Sequence, residues 1–473
     1  MLGLVQHQPL MLIAFLEHAA QNYPDVCVVE RDGDRTMRTS YRETAARTRR
    51  LASGLLKRGI APGDLVGSLA WSTQRHFELL YAVPGIGATL HTANPRLSDD
   101  HISYSIHHAR ERVLFVDREC VVQAERLAPR LPNVVTYVVM ADRSEVPSAN
   151  LPGLVYFDDI VADGDDSFEW PQFDERTAST VCFTSGTTGD PKGAVYSHRG
   201  SYLSTLAIAA PNVWGVGSDD AIIATAAFFH CNGWGAPYLA PMAGAKLVLP
   251  GRDHDAASLR QLIVDEGVTV GPGVPTIWHG IAEHCRREHV GLGRLNRIVW
   301  GGAAPPLELM RTYWRDFGVR SLQAWGMTET THAATFERSG DDVLNGETEP
   351  LAAQGKPVFG TQIRIIDGDG RPLPKDGIAA GHLQVKAHWC ASGYLHRDDV
   401  ALNDPEGWLN TGDLATIGRE NGLRITDRIK DVIKSGGEWI SSIDLENAAL
   451  GHPGVAGAAV IGVPHPRWQE RPV

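Results

Sequence analysis

The sequence predicts an α/β protein with a large N-terminal domain of helix-covered mixed sheets. Strand-like and helix-like segments alternate through most of the chain, which is typical of parallel strands covered by helices. After about residue 355 strands dominate, so we expect a small β-barrel-like subdomain there and then a small α+β C-terminal domain. The predicted strands are 64–70, 113–116, 134–139, 180–184, 221–225, 246–249, 268–270, 297–300, 363–366, 382–386 and 414–417.

Local signals predict where several helices and turns lie. Ser40 and Glu43 form a capping box, apolar residues then recur at helical spacing, and Gly59 ends the helix because glycine readily adopts positive φ. Residues 307–314 form another predicted helix. The acidic segment 367–370 lacks the later ligands of a calcium loop, so we interpret it as a hairpin turn.

A change in the sequence pattern near the end of the chain predicts a domain boundary. We place one domain at residues 1–427 and another at 432–473, separated by the charged segment 428–431. The apolar run 455–463 is a predicted strand, and no segment after it offers an evident partner. The sequence alone therefore predicts that the C-terminal domain is incomplete.

Composition and charge argue against several functions. The 473 residues carry 44 Lys plus Arg against 56 Asp plus Glu, a net charge of −12, so nucleic-acid binding is not expected. The six cysteines form no Cys-x-x-Cys pair, which indicates neither a zinc nor a redox motif and suits a reducing compartment. The apolar run 10–16 lacks signal-peptide features, and no run approaches the ~20 residues of a transmembrane helix. We therefore expect a cytoplasmic protein.

The strongest chemical signal is the loop Thr184-Ser185-Gly186-Thr187-Thr188-Gly189-Asp190-Pro191-Lys192-Gly193. Hydroxyl groups and glycine amides at the end of a strand can surround phosphate oxygens, and Lys192 adds a compact positive charge. A flexible polar loop is the alternative. The chain has no P-loop, Gly-x-Ser-x-Gly, His-Glu-x-x-His or Gly-x-Gly-x-x-Gly motif, so hydrolase and dehydrogenase functions are not indicated.

This loop resembles the signature loop of the adenylate-forming superfamily, which includes acyl-CoA synthetases, luciferases and peptide-synthetase adenylation domains. Further segments follow in that family's order and extend the resemblance over nearly the whole chain. They are residues 301–305, 325–329, 355–357, 408–413 and 427–438. The resemblance implies that ATP activates a carboxylic acid as an acyl-adenylate with release of pyrophosphate, and that coenzyme A then takes the acyl group.

The resemblance also implies a nucleotide and metal site. Thr184 and Glu329 would hold Mg²⁺, while Asp413, assisted by Arg428, would accept the ribose hydroxyls. Trp325, where the family usually has tyrosine, would stack on adenine. The implied nucleotide-binding residues are Thr184, Ser185, Gly186, Thr187, Thr188, Gly189, Lys192, Gly302, Ala303, Ala304, Gln323, Trp325, Gly326, Met327, Thr328, Asp413 and Arg428. The implied catalytic residues are Lys192, Thr184, Glu329 and His230.

The segment 228–235 predicts the acyl pocket. Taken alone, it is typical of a buried helix end with a satisfied histidine, but in the superfamily the position of His230 lies beside the substrate carboxylate. The His-x-Asn-x-Trp form resembles the fatty-acyl-CoA synthetase branch, in which the residue matching Trp234 gates an acyl tunnel. Gly301, Gly302 and Gly326 would line the same cavity and leave room for the acyl tail.

The second half-reaction maps to the end of the chain. Lys430 matches the family's hinge, and Lys434, Gly436, Gly437 and Trp439 match the loop that lines the pantetheine tunnel. The chain ends before the segment in which the family carries a second lysine. The resemblance therefore implies that these 473 residues adenylate slowly. It also implies a homodimer.

The preferred hypothesis is an ATP-dependent acyl-CoA ligase for a medium- or long-chain fatty acid. One alternative is a CoA ligase for a short or thioether-substituted acid. Another, from a different class, is a catalytically disabled nucleotide- or lipid-binding fragment. The expected partners are small molecules, namely ATP, a carboxylic acid and coenzyme A, together with Mg²⁺.

Overall fold

The computed structural model describes residues 1, 3–146, 148–184, 190–338, 353–435, 438–450, 455 and 458–473. The helices in these ranges are α1 (Ile13–Asn22), α2 (Tyr41–Lys57), α3 (Gln74–Gly85), α4 (Asp99–His108), α5 (Val121–Leu127), α6 (Phe157–Ala162), α7 (His198–Ile208), α8 (Cys231–Trp234), α9 (Ala236–Ala243), α10 (Ala256–Asp265), α11 (Pro275–Glu288), α12 (Leu307–Phe317) and α13 (Ser442–Leu450). Within them, no helix combines the length and apolar character needed to cross a membrane.

The strands of the first half of the chain alternate with these helices. They are β1 (Cys27–Asp32), β2 (Arg35–Ser40), β3 (Leu65–Leu69), β4 (Thr89–Ala93), β5 (Val113–Asp117), β6 (Thr136–Met140), β7 (Leu154–Tyr156), β8 (Ala178–Phe183), β9 (Gly193–Ser197), β10 (Ala221–Ile223), β11 (Lys246–Leu249) and β12 (Val270–Gly273). The later strands are β13 (Arg297–Trp300), β14 (Arg320–Trp325), β15 (Thr335–Arg338), β16 (Lys356–Pro357), β17 (Thr361–Ile366), β18 (Ala380–Ala387), β19 (Leu409–Ile417), β20 (Leu423–Arg428), β21 (Ile433–Ser435), β22 (Glu438–Ile440), β23 (Gly462–His465) and β24 (Gln469–Pro472).

Two large mixed sheets form the N-terminal domain. One has the strand order β7-β6-β5-β3-β4-β8-β9, and only its last pair, β8 with β9, is antiparallel. The other has the order β16-β15-β14-β13-β12-β10-β11-β1-β2, parallel from β14 to β1 and antiparallel at both ends. Parallel neighbours need crossover connections, which the intervening helices supply. The predicted fold class is confirmed.

Two small antiparallel sheets follow. Strands β17 to β20 pair in sequence order, and the last sheet has the order β22-β21-β24-β23. The prediction that the run 455–463 has no partner is wrong for its described end. Strand β23 begins at Gly462 and pairs with β24, because the chain turns back after His465. Residues 456 and 457 of that run lie outside the described ranges.

The local sequence signals are confirmed. The Glu43 amide donates to the Ser40 hydroxyl at 3.2 Å at the start of α2, and Gly59 has a φ of 83° after its end. The predicted turn after β17 closes with the Asp367 amide donating to the Arg371 carbonyl at 2.9 Å. Helix α12 covers the predicted helix 307–314.

A buried histidine connects three segments of the core. His198 is fully buried, its Nδ1 accepts from the Leu12 amide at 3.2 Å, and its Nε2–H donates to the Pro84 carbonyl at 3.1 Å. The neutral ring therefore satisfies both contacts. Burial lowers the pKa of His198 from 6.5 to about 4.

We predict that neutral His198 makes stability depend on pH. The unfolded chain protonates this histidine as the pH falls below 6.5, whereas the folded chain resists until about 4, so stability is lost over that interval. Between pH 7 and pH 5 the loss amounts to about 2 kcal/mol. Urea melts of His198→Gln should therefore show a flatter pH dependence than the wild type.

His279→Gln on α11 is the matched control, because this histidine is half exposed and pairs with Glu283 at 3.6 Å. We expect it to keep the wild-type pH dependence. An unchanged slope in His198→Gln would contradict the assignment.

Candidate active site

One cavity of about 940 Å³ lies where strands of both large sheets end. The carboxyl ends of parallel strands meet at one edge, so residues that follow β8, β13 and β14 converge there. The predicted site residues that line it are Thr184, Lys192, His230, Trp234, Gly301, Gly302, Gly326, Met327, Thr328, Glu329, Arg428 and Lys430. The structure thus brings together residues separated by more than half of the chain.

The other predicted residues lie elsewhere or outside the described ranges. Gln323 is buried on β14, while Ala303 and Ala304 are exposed beside Gly302. Ser185, Gly186, Thr187, Thr188, Gly189, Gly436 and Gly437 fall outside the described residues. The backbones of Lys434 and Trp439 pair between β21 and β22.

The predicted phosphate-binding loop, residues 184–193, has described residues at both ends that bond to each other. The Thr184 amide donates to the Lys192 carbonyl at 2.9 Å, and the Lys192 amide donates to the Thr184 hydroxyl at 3.1 Å. These two bonds hold the beginning and the end of the loop together. The Lys192 ammonium lies 5.5 Å from the centre of the Tyr394 ring.

Glu329 lies in a short turn after β14 and is almost fully buried. The Tyr394 hydroxyl donates to Glu329 Oε1 at 2.5 Å, and burial together with this carboxylate raises the pKa of Tyr394. Tyr394 was not predicted, since no local pattern connects it with Glu329.

The donor set suits Mg²⁺. A hydroxyl and a carboxylate are hard oxygen ligands, and magnesium usually takes few ligands from the protein and the rest from phosphates and water. No group of three or more His, Cys, Asp or Glu side chains that could hold a metal occurs among the described residues. Thr184 and Glu329 therefore fit an ion that is bound together with ATP.

The carboxylate of Asp413 lies on β19, an inner strand of the small sheet, opposite Arg428 on β20. Asp413 is 2% exposed, accepts from the Trp325 indole N–H at 3.1 Å and pairs with Arg428 Nε at 2.9 Å. Burial raises the pKa of Asp413, and the Arg428 guanidinium opposes that shift. Trp325 is itself buried and does not line the cavity; its observed contact orients Asp413, and adenine stacking stays a prediction.

The segment that carries His230 and Trp234 has an unusual backbone. Cys231, Asn232 and Trp234 have φ values of 37°, 42° and 53°. The buried Asn232 fixes this segment, because its Oδ1 accepts from the Thr180 hydroxyl at 2.5 Å.

Glycines 301 and 302 make room for an indole ring. A Cβ at Gly301 would lie 2.9 Å from the Trp234 ring, and one at Gly302 would lie 3.6 Å from it. Both glycines line the cavity beside the Trp234 ring, and that they leave space for the acyl tail stays a prediction. At Gly326 a Cβ would lie 2.9 Å from the His332 carbonyl, so close backbone packing requires that glycine.

Arg96 is a cavity residue that the sequence analysis missed. Its guanidinium lies 5.1 Å from the centre of the Trp71 ring, and burial lowers the pKa of Arg96. His230 reaches water inside the cavity, yet the surrounding protein and then Arg96 lower the pKa of its imidazole, so the ring is neutral at pH 7. No ion pair to Arg96 occurs within the part of the chain that the structure describes.

Lys430 follows β20 in a tight turn. The Asp431 and Val432 amides donate to the Arg428 carbonyl at 3.0 and 2.9 Å, and the Ile429 amide donates to the Gly412 carbonyl at 3.0 Å. This turn places Lys430 at the cavity between the small sheet and the C-terminal segment.

The fold and this cavity define an adenylate-forming enzyme of the acyl-CoA ligase type. Residues 16–395 match the model of the AMP-binding enzyme family, and residues 444–473 match the AMP-binding enzyme C-terminal domain. The chain belongs to the AMP-binding enzyme family. Acyl-CoA ligases of this family use ATP and coenzyme A as substrates, with Mg²⁺.

Similar proteins cover nearly the whole chain. The 3-methylmercaptopropionyl-CoA ligase of Ruegeria lacuscaerulensis is 43% identical over 479 residues, covering 100% of this chain and 88% of that protein. The medium-chain-fatty-acid–CoA ligase of Ectopseudomonas oleovorans is 40% identical over 484 residues, covering 100% of this chain and 87% of that protein. The anthranilate CoA ligase AuaEII in complex with anthranoyl-AMP is 24% identical, covers 97% of this chain and 85% of its own, and has a TM-score of 0.85, which shows the fold.

We predict that Glu329→Gln raises the Mg²⁺ concentration needed for half-maximal AMP release by about tenfold, because the amide keeps the shape but loses the charge that attracts the ion. The measurement is a magnesium titration of AMP release. Glu406→Gln is the control, since Glu406 is exposed and pairs with Arg364 at 2.7 Å. Equal magnesium curves for the two variants would contradict the metal assignment.

We predict that Asp413→Asn raises the KM for ATP about tenfold or more, because a charged acceptor for the ribose hydroxyls becomes neutral. The KM for the acid should change less. Asp404→Asn, which removes a carboxylate that pairs with Arg364 on the same sheet at 2.8 Å, should leave both constants near wild type. If Asp413→Asn raised only the KM for the acid, the ribose assignment would be wrong.

Proposed function

We propose that the protein is an ATP-dependent acyl-CoA ligase for a short aliphatic carboxylic acid, thioether-substituted acids included. The observation that supports this most is the shared cavity. Thr184, Lys192 and Glu329, which match a triphosphate and magnesium site, line the same space as His230 and an apolar slot. Phosphate and carboxylate chemistry can therefore meet there.

The proposed reaction has two steps. In the first, a carboxylate oxygen of the acid bonds to the α-phosphorus of ATP, and the α–β bridging bond breaks so that pyrophosphate leaves with its electron pair. In the second, the coenzyme A thiol gives its proton to solvent and its sulfur bonds to the acyl carbon, while the bond from that carbon to the phosphate oxygen breaks and AMP leaves with its electron pair. Two anions meet in the first step, so fixed positive charge from Lys192 and Arg96 lowers their repulsion. Mg²⁺, held by Thr184 and Glu329, would neutralise phosphate charge.

His230 is suited to donate a hydrogen bond to the carboxylate of the acid. Its lowered pKa keeps the imidazole neutral at pH 7, so an N–H can donate to a carboxylate without forming an ion pair that must later be broken. Arg96 supplies the positive charge nearby. His230 therefore positions the attacking oxygen.

The inner walls of the slot favour a short acid. The slot is the part of the cavity that Ile208, Trp214 and Val299 line. These residues are nearly fully buried, so the slot extends into the protein core and core residues form its inner walls. A thioether sulfur packs well against aromatic rings such as the indoles of Trp214 and Trp234. The Ruegeria relative is named for such an acid, and so is a second one, from Ruegeria pomeroyi, at 41% identity.

A medium- or long-chain fatty acid is the second candidate. The slot is mostly apolar, and each methylene that it buries contributes about 0.8 kcal/mol. The Ectopseudomonas relative is named for medium-chain acids, and a Thermus thermophilus relative at 40% identity is named for long-chain acids. Trp234, lying over the glycines, would then act as the gate of a longer tunnel.

We further propose the domain roles. Residues 1–427 hold ATP and the acid, 428–431 act as the hinge with Lys430 at its centre, and 432–473 approach coenzyme A through Lys434, Gly436, Gly437 and Trp439.

All six cysteines are free, which agrees with a reducing cytoplasmic setting for a thiol substrate.

The decisive experiment measures AMP release in the presence of coenzyme A with acids of two to eighteen carbons and with 3-(methylthio)propionate. We expect the highest kcat/KM for short acids or the thioether acid. A maximum at long chains would favour the second candidate. No AMP release with any acid would contradict ligase activity and favour a nucleotide- or lipid-binding protein.

We predict that Trp214→Leu shifts the optimum towards longer acids, because it removes a wall of the slot. Replacing a buried tryptophan costs stability, so a thermal melt must show that the variant is folded. Trp468→Ala, at an exposed tryptophan, is the control and should keep the wild-type profile. An unchanged optimum in a folded Trp214→Leu protein would show that this wall does not limit chain length.

A further inference from the structure

A second groove, outside the active-site cavity, carries concentrated positive charge. It has a volume of about 720 Å³ and lies between the end of α4, the start of β5 and the segment after Tyr394. We call it the basic groove. Its titratable and charged lining residues are His107, His108, Arg110, Arg112 and His396. Such a groove is unexpected on a chain with a net charge of −12.

Two arginines of the basic groove have no anionic partner. Arg110 and Arg112 are exposed, and neither forms an ion pair or a side-chain hydrogen bond with any described residue. Arginines nearby are paired instead: Arg126 lies 3.2 Å from Asp99, and Arg130 lies 2.5 Å from Asp100. The basic groove thus keeps two forked donors available, and guanidinium forks match phosphate oxygens well.

The carboxylate between these arginines is directed away from them. Glu111 is fully buried and bonds to the buried His91, so it faces the core. Asp398 is the carboxylate that acts on His396 from the same segment. The positive charge of Arg110 and Arg112 is therefore not cancelled by their sequence neighbour.

Backbone strain marks the same place. Arg110 has a φ of 57° and His396 a φ of 52°, in a region that few residues other than glycine adopt, although histidine does so more often than arginine. Cys231, Asn232, Trp234 and Thr331, near the active site, share this feature. Such strain of about 1–3 kcal/mol per residue persists where the surrounding structure imposes it, often at binding sites.

The basic groove adjoins the residues that flank the segment from Thr184 to Lys192. His108 Nε2 donates to the Leu395 carbonyl at 2.8 Å, and the Leu395 amide donates to the Gly193 carbonyl at 2.8 Å. Gly193 follows Lys192 in the chain. The His108 ring also lies 6.0 Å from the ring of Phe183, the residue before Thr184. Phe183, just before the loop, therefore contacts the groove residue His108 directly, and Gly193, just after Lys192, contacts it through Leu395.

We propose that the basic groove binds inorganic pyrophosphate after it leaves the phosphate-binding loop. The anion carries several charges on two linked phosphate groups, which Arg110 and Arg112 can each bind with a guanidinium fork, while His107 and His396 can donate further hydrogen bonds. The choice of pyrophosphate rests on the adenylation step under the proposed function. The groove is a binding site for that product, and no bond is made or broken in it.

The test measures binding without turnover. The nucleotide site is filled with one equivalent of α,β-methylene-ATP, and binding of radiolabelled pyrophosphate is followed by equilibrium dialysis with the full chain. We expect the wild type to bind pyrophosphate and the double variant Arg110→Gln/Arg112→Gln to bind it about tenfold or more weakly, because two charge-assisted contacts are lost. The double variant Arg126→Gln/Arg130→Gln, with the same change in net charge, should bind like the wild type.

Several outcomes would overturn the proposal. These are equal losses in the two double variants, no binding by the wild type with the nucleotide site filled, or displacement of the label by coenzyme A at lower concentrations than by unlabelled pyrophosphate. The last result would assign the groove to the diphosphate of coenzyme A. Because dialysis needs no catalysis, a protein that proved not to be a ligase would still report on the groove.

Discussion

The active site depends on one buried hydrogen bond between a strand and a strained segment. The Thr180 hydroxyl on β8 donates to Asn232, which holds Cys231, Asn232 and Trp234 at positive φ. Each such residue costs about 1–3 kcal/mol, so the fold must impose the conformation. The same strand ends at Phe183, immediately before Thr184, so one strand contacts the segment of Asn232 and Trp234 and also leads into Thr184.

The cluster of positive side chains in the cavity suits the anionic substrates of an acyl-CoA ligase. The chain is acidic as a whole, yet Arg96, Lys192, Arg428 and Lys430 line one cavity, and among the described residues only Arg428 has an ion-pair partner, Asp413. Clustered cations repel one another in the empty protein. Anionic substrates that enter the cavity offset this repulsion. The electrostatic free energy that destabilises the empty protein therefore strengthens the binding of a triphosphate and a carboxylate.

The sequence predicts the fold class and most of the cavity because their signals are local. Strand–helix alternation, the capping box at Ser40 and the motif that contains Glu329 can each be recognised in a short segment. Tyr394 and Arg96 have no such signal: Tyr394 meets Glu329 across 65 residues, and only the fold creates that contact. The hydrogen bond from the Trp325 indole N–H to Asp413 was not predicted either, because the two residues are far apart in the sequence. The pairing of β23 was missed because a short final strand carries little periodicity.

The C-terminal segment is tied to the nucleotide site through two adjacent residues of β20. Arg428 pairs with Asp413, while the neighbouring Asp427 accepts from the Ser442 amide at 2.7 Å and from its hydroxyl at 3.1 Å. Lys430 lies between these contacts in the chain. A rotation about Lys430 must therefore break the bonds to Ser442 or shift Arg428. If Asp413 binds the ribose and Lys430 is the hinge, as proposed, the nucleotide and the position of the C-terminal segment are energetically coupled: a ligand that strengthens the Asp413–Arg428 pair also stabilises the docked arrangement.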